Sequence, residues 1–419
     1  MGKTFRAALI ASALLASLVI ASSAWAWGGR SHTLYASPWG GQGMCTRSWP
    51  CSLPNAVSNA ASGDTVIALP GLYHGGVVLS KAIDLRGEDA VIDAATSATG
   101  NGVQITGPGG SGSTVEGFTI KDAEFEGILV GTAPVAPTTT DGTAATSGEP
   151  VSDVRIAGNV LTHNGTGFGT DAGQCFSTPN APGDCGETIH LVAVTDSVVQ
   201  RNVVLDNVGG ILLTDEFGPT SGNVIRDNRT IDNSDDCGIT LAGHATAVNP
   251  ATDQPTGAAG VFDNRVIDNV SIGNGIAGQG AGILLGGGAP FAGVYDNVIR
   301  GNAAIGNGLA GITLHQHFAG DLNGNVIERN FLSNDNLDSD FDFAAAQATQ
   351  TTGILVAGGL PPGPGPYPPP PAPITGTVIR GNRLVHVAVG IWTLGVDPAT
   401  TVIARNRVGP GVTTPISTN

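Results

Sequence analysis

The chain has 419 residues, of which 63 are Gly and 26 Pro, with 12% charged and 41% hydrophobic residues. Glycine without a triplet period excludes collagen, and recurrent aliphatic and β-branched residues exclude disorder. Three lysines in all (Lys3, Lys81, Lys121) exclude long helical bundles, and a net charge of −16 argues against nucleic acid or anionic lipid as partners.

From the N-terminus, Lys3 and Arg6 precede an apolar run, Ala7 to Ile20, and Ala24-Trp25-Ala26 then supplies a small-x-small cleavage site. This pattern predicts a signal peptide over residues 1–26 and a secreted or otherwise extracytoplasmic mature chain of 27–419 without membrane insertion. Loss of Lys3 and Arg6 takes the net charge from −16 to −18.

Residues 33–93 hold a predicted short amphipathic helix over Ser52–Ala61, with Ser52 as N-cap and Pro54 in its first turn. Such a helix would cover an open strand edge. Five cysteines suit an oxidising compartment. Local spacing predicts Cys45–Cys51 and Cys175–Cys185 bridges, and leaves Cys237 as a small buried residue rather than a reactive thiol.

From residue 159 onward a repeat dominates. Pairs of Asn five apart recur at Asn159 and Asn164, Asn202 and Asn207, Asn228 and Asn233, Asn269 and Asn274, and Asn302 and Asn307. The series continues at Asn330 and Asn334 and decays to Asn382 and Asn406. A Gly-Ile-x-Leu-like strand follows each time, beginning at Gly210, Gly238, Gly282, Gly311, Gly353 and Gly390. A third strand such as Val224-Ile225-Arg226 completes the unit. Three short strands per repeat, with a shortest spacing of 24 to 26 residues (Asn382 to Asn406, Asn202 to Asn228), fit one coil of a parallel β-helix. Stacked Asn side chains would then form hydrogen-bonded ladders that hold the fold together. The expected architecture is all-β, a single-domain right-handed parallel β-helix with a short N-terminal capping helix, most simply a monomer.

Longer spacings mark insertions at about 131–150, 165–187, 242–260, 335–352 and 358–373. All fall beside the Gly-Ile-x-Leu strand, so they would wall one face, where function is expected. The last insertion, Leu360 to Pro373, is polyproline-like.

The phrases Gly63-Asp-Thr-Val-Ile-Ala68 and Leu85-Arg-Gly87…Val91-Ile-Asp93, with the VIRGN and GIxL repeats, resemble right-handed parallel β-helix proteins of the pectin-lyase-like superfamily. The resemblance spans nearly the whole mature chain. It implies that fold and leaves a choice among polysaccharide lyases, glycoside hydrolases, alginate epimerases, tailspikes and NosD-like accessory proteins.

Aligning the Gly-Ile-x-Leu strands places Thr214-Asp215-Glu216 over Ala242-Gly243-His244, Gly286-Gly287-Gly288, His315-Gln316-His317 and Ala357-Gly358-Gly359. Asp215, Glu216, His244, His315 and His317 are therefore candidate site residues, with Asp235 and Asp236 entering from the other end of the strand. Sister coils carry Gly or Ala at these positions, so the coil does not demand polar residues there. The cluster has two readings: a cleft with carboxylate and His in acid/base roles, or an acidic loop face that is solvated or holds Ca²⁺. Thr214-Asp215, Asp235-Asp236-Cys237 and Gly243-His244 resemble polygalacturonase-type motifs, but Leu213 and Ala245 replace the expected Asn and Gly, and no Arg-x-Lys is present. Imidazole at His244, His315 and His317 would suit copper or zinc. Arg201, Arg226, Arg300, Arg329, Arg380 and Arg405 form a separate stripe on another edge.

The expectation is a protein that binds extracellular polysaccharide or cell-surface glycan on the walled face, with lysis or hydrolysis as the reaction if it is catalytic. The alternative is a non-catalytic extracytoplasmic scaffold, such as a NosD-like metal-delivery factor or an adhesin.

Overall fold

The computed structural model describes residues 31–131, 150–167, 187–215, 217–243, 260–277, 280–287, 293–316, 320–337, 351–358 and 373–418, with the short pairs 248–249 and 254–255. The predicted signal peptide, Cys175 and Cys185 with their predicted bridge, the polyproline-like stretch and most of the insertions lie outside these residues.

The repeat folds as a right-handed parallel β-helix. Sheet 1 has 21 strands and takes two short strands from each regular coil, such as Val198–Gln200 and Val203–Leu205. Sheet 2 stacks 11 strands, including Glu187–Val192, Gly209–Thr214, Ile239–Gly243, Ile283–Gly287, Ile312–Gln316, Thr352–Ala357 and Val389–Leu394. Sheet 3 adds five two-residue strands, from Val151–Ser152 to Val294–Tyr295. Every pairing in these three sheets is parallel, and within each strand alternate residues point into the solenoid. Ile189, Leu191, Ile211, Leu213, Ile239 and Leu241 are at most 1% exposed and stack in one continuous core.

Three Asn ladders hold the turns. Asn159, Asn202, Asn228, Asn269, Asn302, Asn330, Asn382 and Asn406 form one, each side-chain amide donating to the next residue's Oδ1 at 2.9–3.1 Å. Each Oδ1 also accepts the preceding rung's backbone N–H, as in Asn202 to Asn228 at 3.0 Å. A second ladder runs Asn164, Asn207, Asn233, Asn274, Asn307. A third, Asn223, Asn264, Asn297, Asn325, lies at the turn between sheets 3 and 1. The left-handed turn conformation belongs to the residue before the ladder Asn, often Asp or Gly, as at Asp227 (φ 57°) and Asp268 (φ 55°). The Asn itself is held by its hydrogen bonds rather than by tolerance of positive φ.

One ladder ends differently from the sequence expectation. Asn334 takes the left-handed turn (φ 57°), and Asp335, placed by sequence in an acidic insertion, occupies the next rung below Asn307. Its Oδ1 accepts the Asn307 backbone N–H at 3.1 Å and side-chain amide at 2.8 Å, and its Oδ2 accepts the Ser333 N–H. Burial pushes its carboxyl up to about 7 against those three donors.

The helix α1 (Leu53–Asn59) is shorter than predicted, and Ser52 stands at the N-cap without a side-chain cap bond. Leu53, Ala56 and Val57, on one helical face, are buried against the first strands. The Cys45–Cys51 disulfide braces the adjoining segment. Cys237 is a free thiol, 1% exposed; it accepts the Ala281 N–H at 3.1 Å, and burial, then Asp236, raises its pKa. No helix among the described residues is long and apolar enough to cross a membrane.

Candidate functional site

The outward-facing residues of sheet 2 decide where chemistry can sit. Strand register follows the sequence alignment: Thr214, Ala242, Gly286, His315 and Ala357 share one column. One residue further on, Asp215 follows the end of its strand and is 2% exposed. Glu216, His244 and His317 lie outside the described residues. His315, 5% exposed, stands three coils from Thr214, about 14 Å at about 4.8 Å per coil.

Asp235 and Asp236 occupy the turn before Cys237, where both backbone N–H groups donate to the Val208 carbonyl. The Asp236 Oδ1 accepts the Cys237 N–H, and Asp235 accepts the Ser234 hydroxyl. Asp215 follows Thr214, which pairs with Ala242, six residues past Asp236, so Asp215 and Asp236 lie about 20 Å apart at the two ends of neighbouring strands. The described candidates thus flank one strip instead of closing a single cluster.

Between them lies a constellation that the sequence alignment did not single out. Ile189 and Leu191 face the core, so His190 projects from the outer face, where it is fully buried. Its Nδ1 lies 3.5 Å from Glu126 Oε1 in the preceding coil, and its Nε2 lies 2.9 Å from Thr214 Oγ1 in the following one. Glu126 and Thr214 are likewise fully buried, and Glu126 Oε2 has no hydrogen-bond partner among the described residues. A carboxylate, an imidazole and a hydroxyl therefore span three consecutive coils. The carboxylate can fix the imidazole's orientation, and the imidazole can exchange a proton with the hydroxyl or with a bound group.

Continuing the register puts Glu187 one coil from Glu126, and Gly209 follows it. Gly209 sits at a close approach: a Cβ there would lie 3.2 Å from Glu187 Cγ and 3.3 Å from Asp236 Cβ. Glu126, Glu187 and Asp236 thus line one end of the strip, with His190 and Thr214 in its middle and Asp215 at the far end.

The missed signal was present in the sequence. Position x of the strand reads Leu129, His190, Leu212, Thr240, Leu284, Thr313, Leu355 and Trp392 in successive coils, so His190 is the one titratable member. It escapes a Gly-Ile-x-Leu search because its own coil reads Thr188-Ile189-His190-Leu191. Further along, Leu284, Leu355 and Trp392 pack on the same outer face with Cys237 and Ala281.

Among the described residues no three His, Cys, Asp or Glu side chains come together as a metal site. His190 and His315 are four coils apart, counted through Leu212, Thr240, Leu284 and Thr313.

Fold and strip define a parallel β-helix protein with a polar, buried stripe on one outer face. The profile of a family described as periplasmic copper-binding protein (NosD) matches residues 145–303, less than half of the chain. The chain is similar to the A-module of a mannuronan C-5 epimerase from Azotobacter vinelandii at 15% identity and a TM-score of 0.48, covering 87% of this chain and 89% of that one. It is similar to an alginate lyase from Paenibacillus sp. at 13% identity and a TM-score of 0.45, covering 93% and 98%. Against a pectate lyase the values are 14% and 0.44, covering 90% and 79%. No curated protein matches the chain.

Proposed function

We propose that this is an exported protein that binds polysaccharide along the outer face of sheet 2 and uses the Glu126–His190–Thr214 line as the polar centre of that site. The observation that carries the reading is positional. The next coil repeats a carboxylate at Glu187, but the coils from Gly209 on hold Gly, Cys, Ala, Thr or Val in the Glu126 column and mostly Leu or Thr in the His190 column, so the scaffold needs neither residue. Burying a carboxylate against an imidazole costs desolvation that an apolar pair would avoid, which supports retention for function. The insertions in the sequence adjoin the same strands, and the Cys45–Cys51 bridge suits an extracytoplasmic compartment. Asp215, Asp235, Asp236 and His315 extend the site along the strip, and Glu216, His244 and His317 stay candidates from the sequence alone. If it is catalytic, His190 is the proton-transferring group and Glu126 the residue that orients it.

A second reading is favoured by the profile match over residues 145–303: a non-catalytic accessory protein of copper handling. The described donors do not fit a copper site, since His190 and His315 stand about 19 Å apart along the stack. The two readings separate in one screen. Incubation with neutral, amine-bearing and acidic polysaccharides, followed for retention on immobilised polymer, new reducing ends and unsaturated-product absorbance, should show retention of the protein. Absence of retention on every polymer, together with stoichiometric uptake of copper, would select the accessory role.

A further inference from the structure

The charges of this solenoid are partitioned within each coil. From Ala123 on, the half-coil that runs from the Asn164-type turn to the Asn223-type turn carries sheets 2 and 3 and all of the insertions. It contains no Lys or Arg in any repeat, yet it holds 22 of the chain's 34 acidic residues. The other half, which forms sheet 1, carries every basic residue beyond Lys121, and several of these are already neutralised: Arg155 by Glu116 at 2.8 Å, Arg380 by Glu328 at 2.7 Å and Arg226 by Asp227 at 3.6 Å. Thirteen of those 22 acidic residues are among the described residues, so the asymmetry marks the half-coil that carries the proposed site, beyond the net charge of −16.

Two further observations show what that face is equipped to accept. Glu126 Oε2 is buried in the strip without a hydrogen-bond donor, although the neighbouring Oε1 has His190. At the edge with sheet 3, Phe262 and Tyr295 stack with ring centroids 5.0 Å apart. Burial raises the Tyr295 phenol's pKa, and the negative charges of Asp321, Asp296, Asp263 and Asp215 raise it further, so this ring sits in an acidic field. Cations gain twice from such an edge, through carboxylate contacts and through the ring faces. A polyuronate would bring one carboxylate per sugar against a surface with no cationic partner, and the repulsion accumulates along the polymer.

Resting on the polysaccharide reading above, we propose that the ligand of this face is an amine-bearing, cationic glycan, and that uronic-acid polymers are excluded from it. The test is binding of the full-length protein, at low and moderate salt and in chelator or with added Ca²⁺, to three probes of equal length: glucosamine oligosaccharides with free amines, neutral β-linked glucose oligosaccharides, and oligouronates. The expected result is tightest binding to the amine-bearing probe, at least tenfold over the neutral one, weakening as salt screens the contacts. Asp263→Asn/Asp296→Asn should reduce that preference several-fold without loss of fold. Binding of the oligouronate in either metal condition, or equal binding of neutral and amine-bearing probes, would overturn the cationic assignment while leaving a polysaccharide site in place. Failure of all three to bind would remove the polysaccharide reading itself.

Discussion

At the scale of single residues, the ladder amides and one carboxylate carry the clearest consequences. Asn228 accepts from the Asn202 backbone and side chain and donates to the Val199 carbonyl and to Asn269, all while fully buried. Asn228→Ala strands those groups, and about 2–4 kcal/mol of lost stability is expected from two or more unmet buried partners. Asn406→Ala, on the last and partly exposed rung, should cost less than half of that in the same chemical denaturation series. Asp335 behaves in the opposite sense to a ladder Asn. Its folded pKa of about 7 lies above the ordinary carboxyl value of 3.8, so between these limits the unfolded chain releases a proton that the folded chain keeps. Stability therefore falls as pH rises from about 4 to 7, by an amount of order a few kcal/mol, and is unaffected by this group below 4. Asp335→Asn should flatten that slope, because the amide keeps an oxygen for the Asn307 donors and carries no ionisable proton, while it gives up the acceptor of the Ser333 N–H. A steeper slope in the variant would refute the assignment.

At the scale of elements, the coil was legible because its physics is written locally. The Asn spacing, the Gly before Ile and the alternation of Ile and Leu each answer to a visible constraint. A Cβ on Gly210, for example, would lie 1.9 Å from the Gly238 carbonyl oxygen. Register across sheet 2 followed from the same alignment. The site was only partly legible. His190 and Glu126 are 64 residues apart, and neither their coil's opening Thr188 nor the stretch between them conforms to the repeat that made other coils comparable. Asp335 was misplaced for a related reason: with Val387 below it in place of Asn, the ladder signature stops one rung early. The capping helix gives a test at this scale. Leu53 and Val57 are 4% and 5% exposed and close the first coil, so Val57→Asp should lower the melting temperature and promote concentration-dependent aggregation through the uncovered strands. An unchanged, monodisperse variant would show that the cap is dispensable.

At the scale of the whole molecule, a uniform scaffold carries one non-uniform strip. The solenoid supplies parallel columns at fixed spacing, and apolar residues fill most of the outer column on sheet 2. His190 breaks that column, with Glu126 in the coil before and Thr214 in the coil after bound to its two ring nitrogens, and this is where sequence stops serving the fold. The most direct measurement is polysaccharide affinity and thermal stability of the double variant Glu126→Ala/His190→Leu, which installs the residues found in sister coils. The account predicts stability within about 1 kcal/mol of the parent with affinity reduced at least tenfold, about 1.4 kcal/mol. Undiminished binding by a stably folded double variant would contradict it.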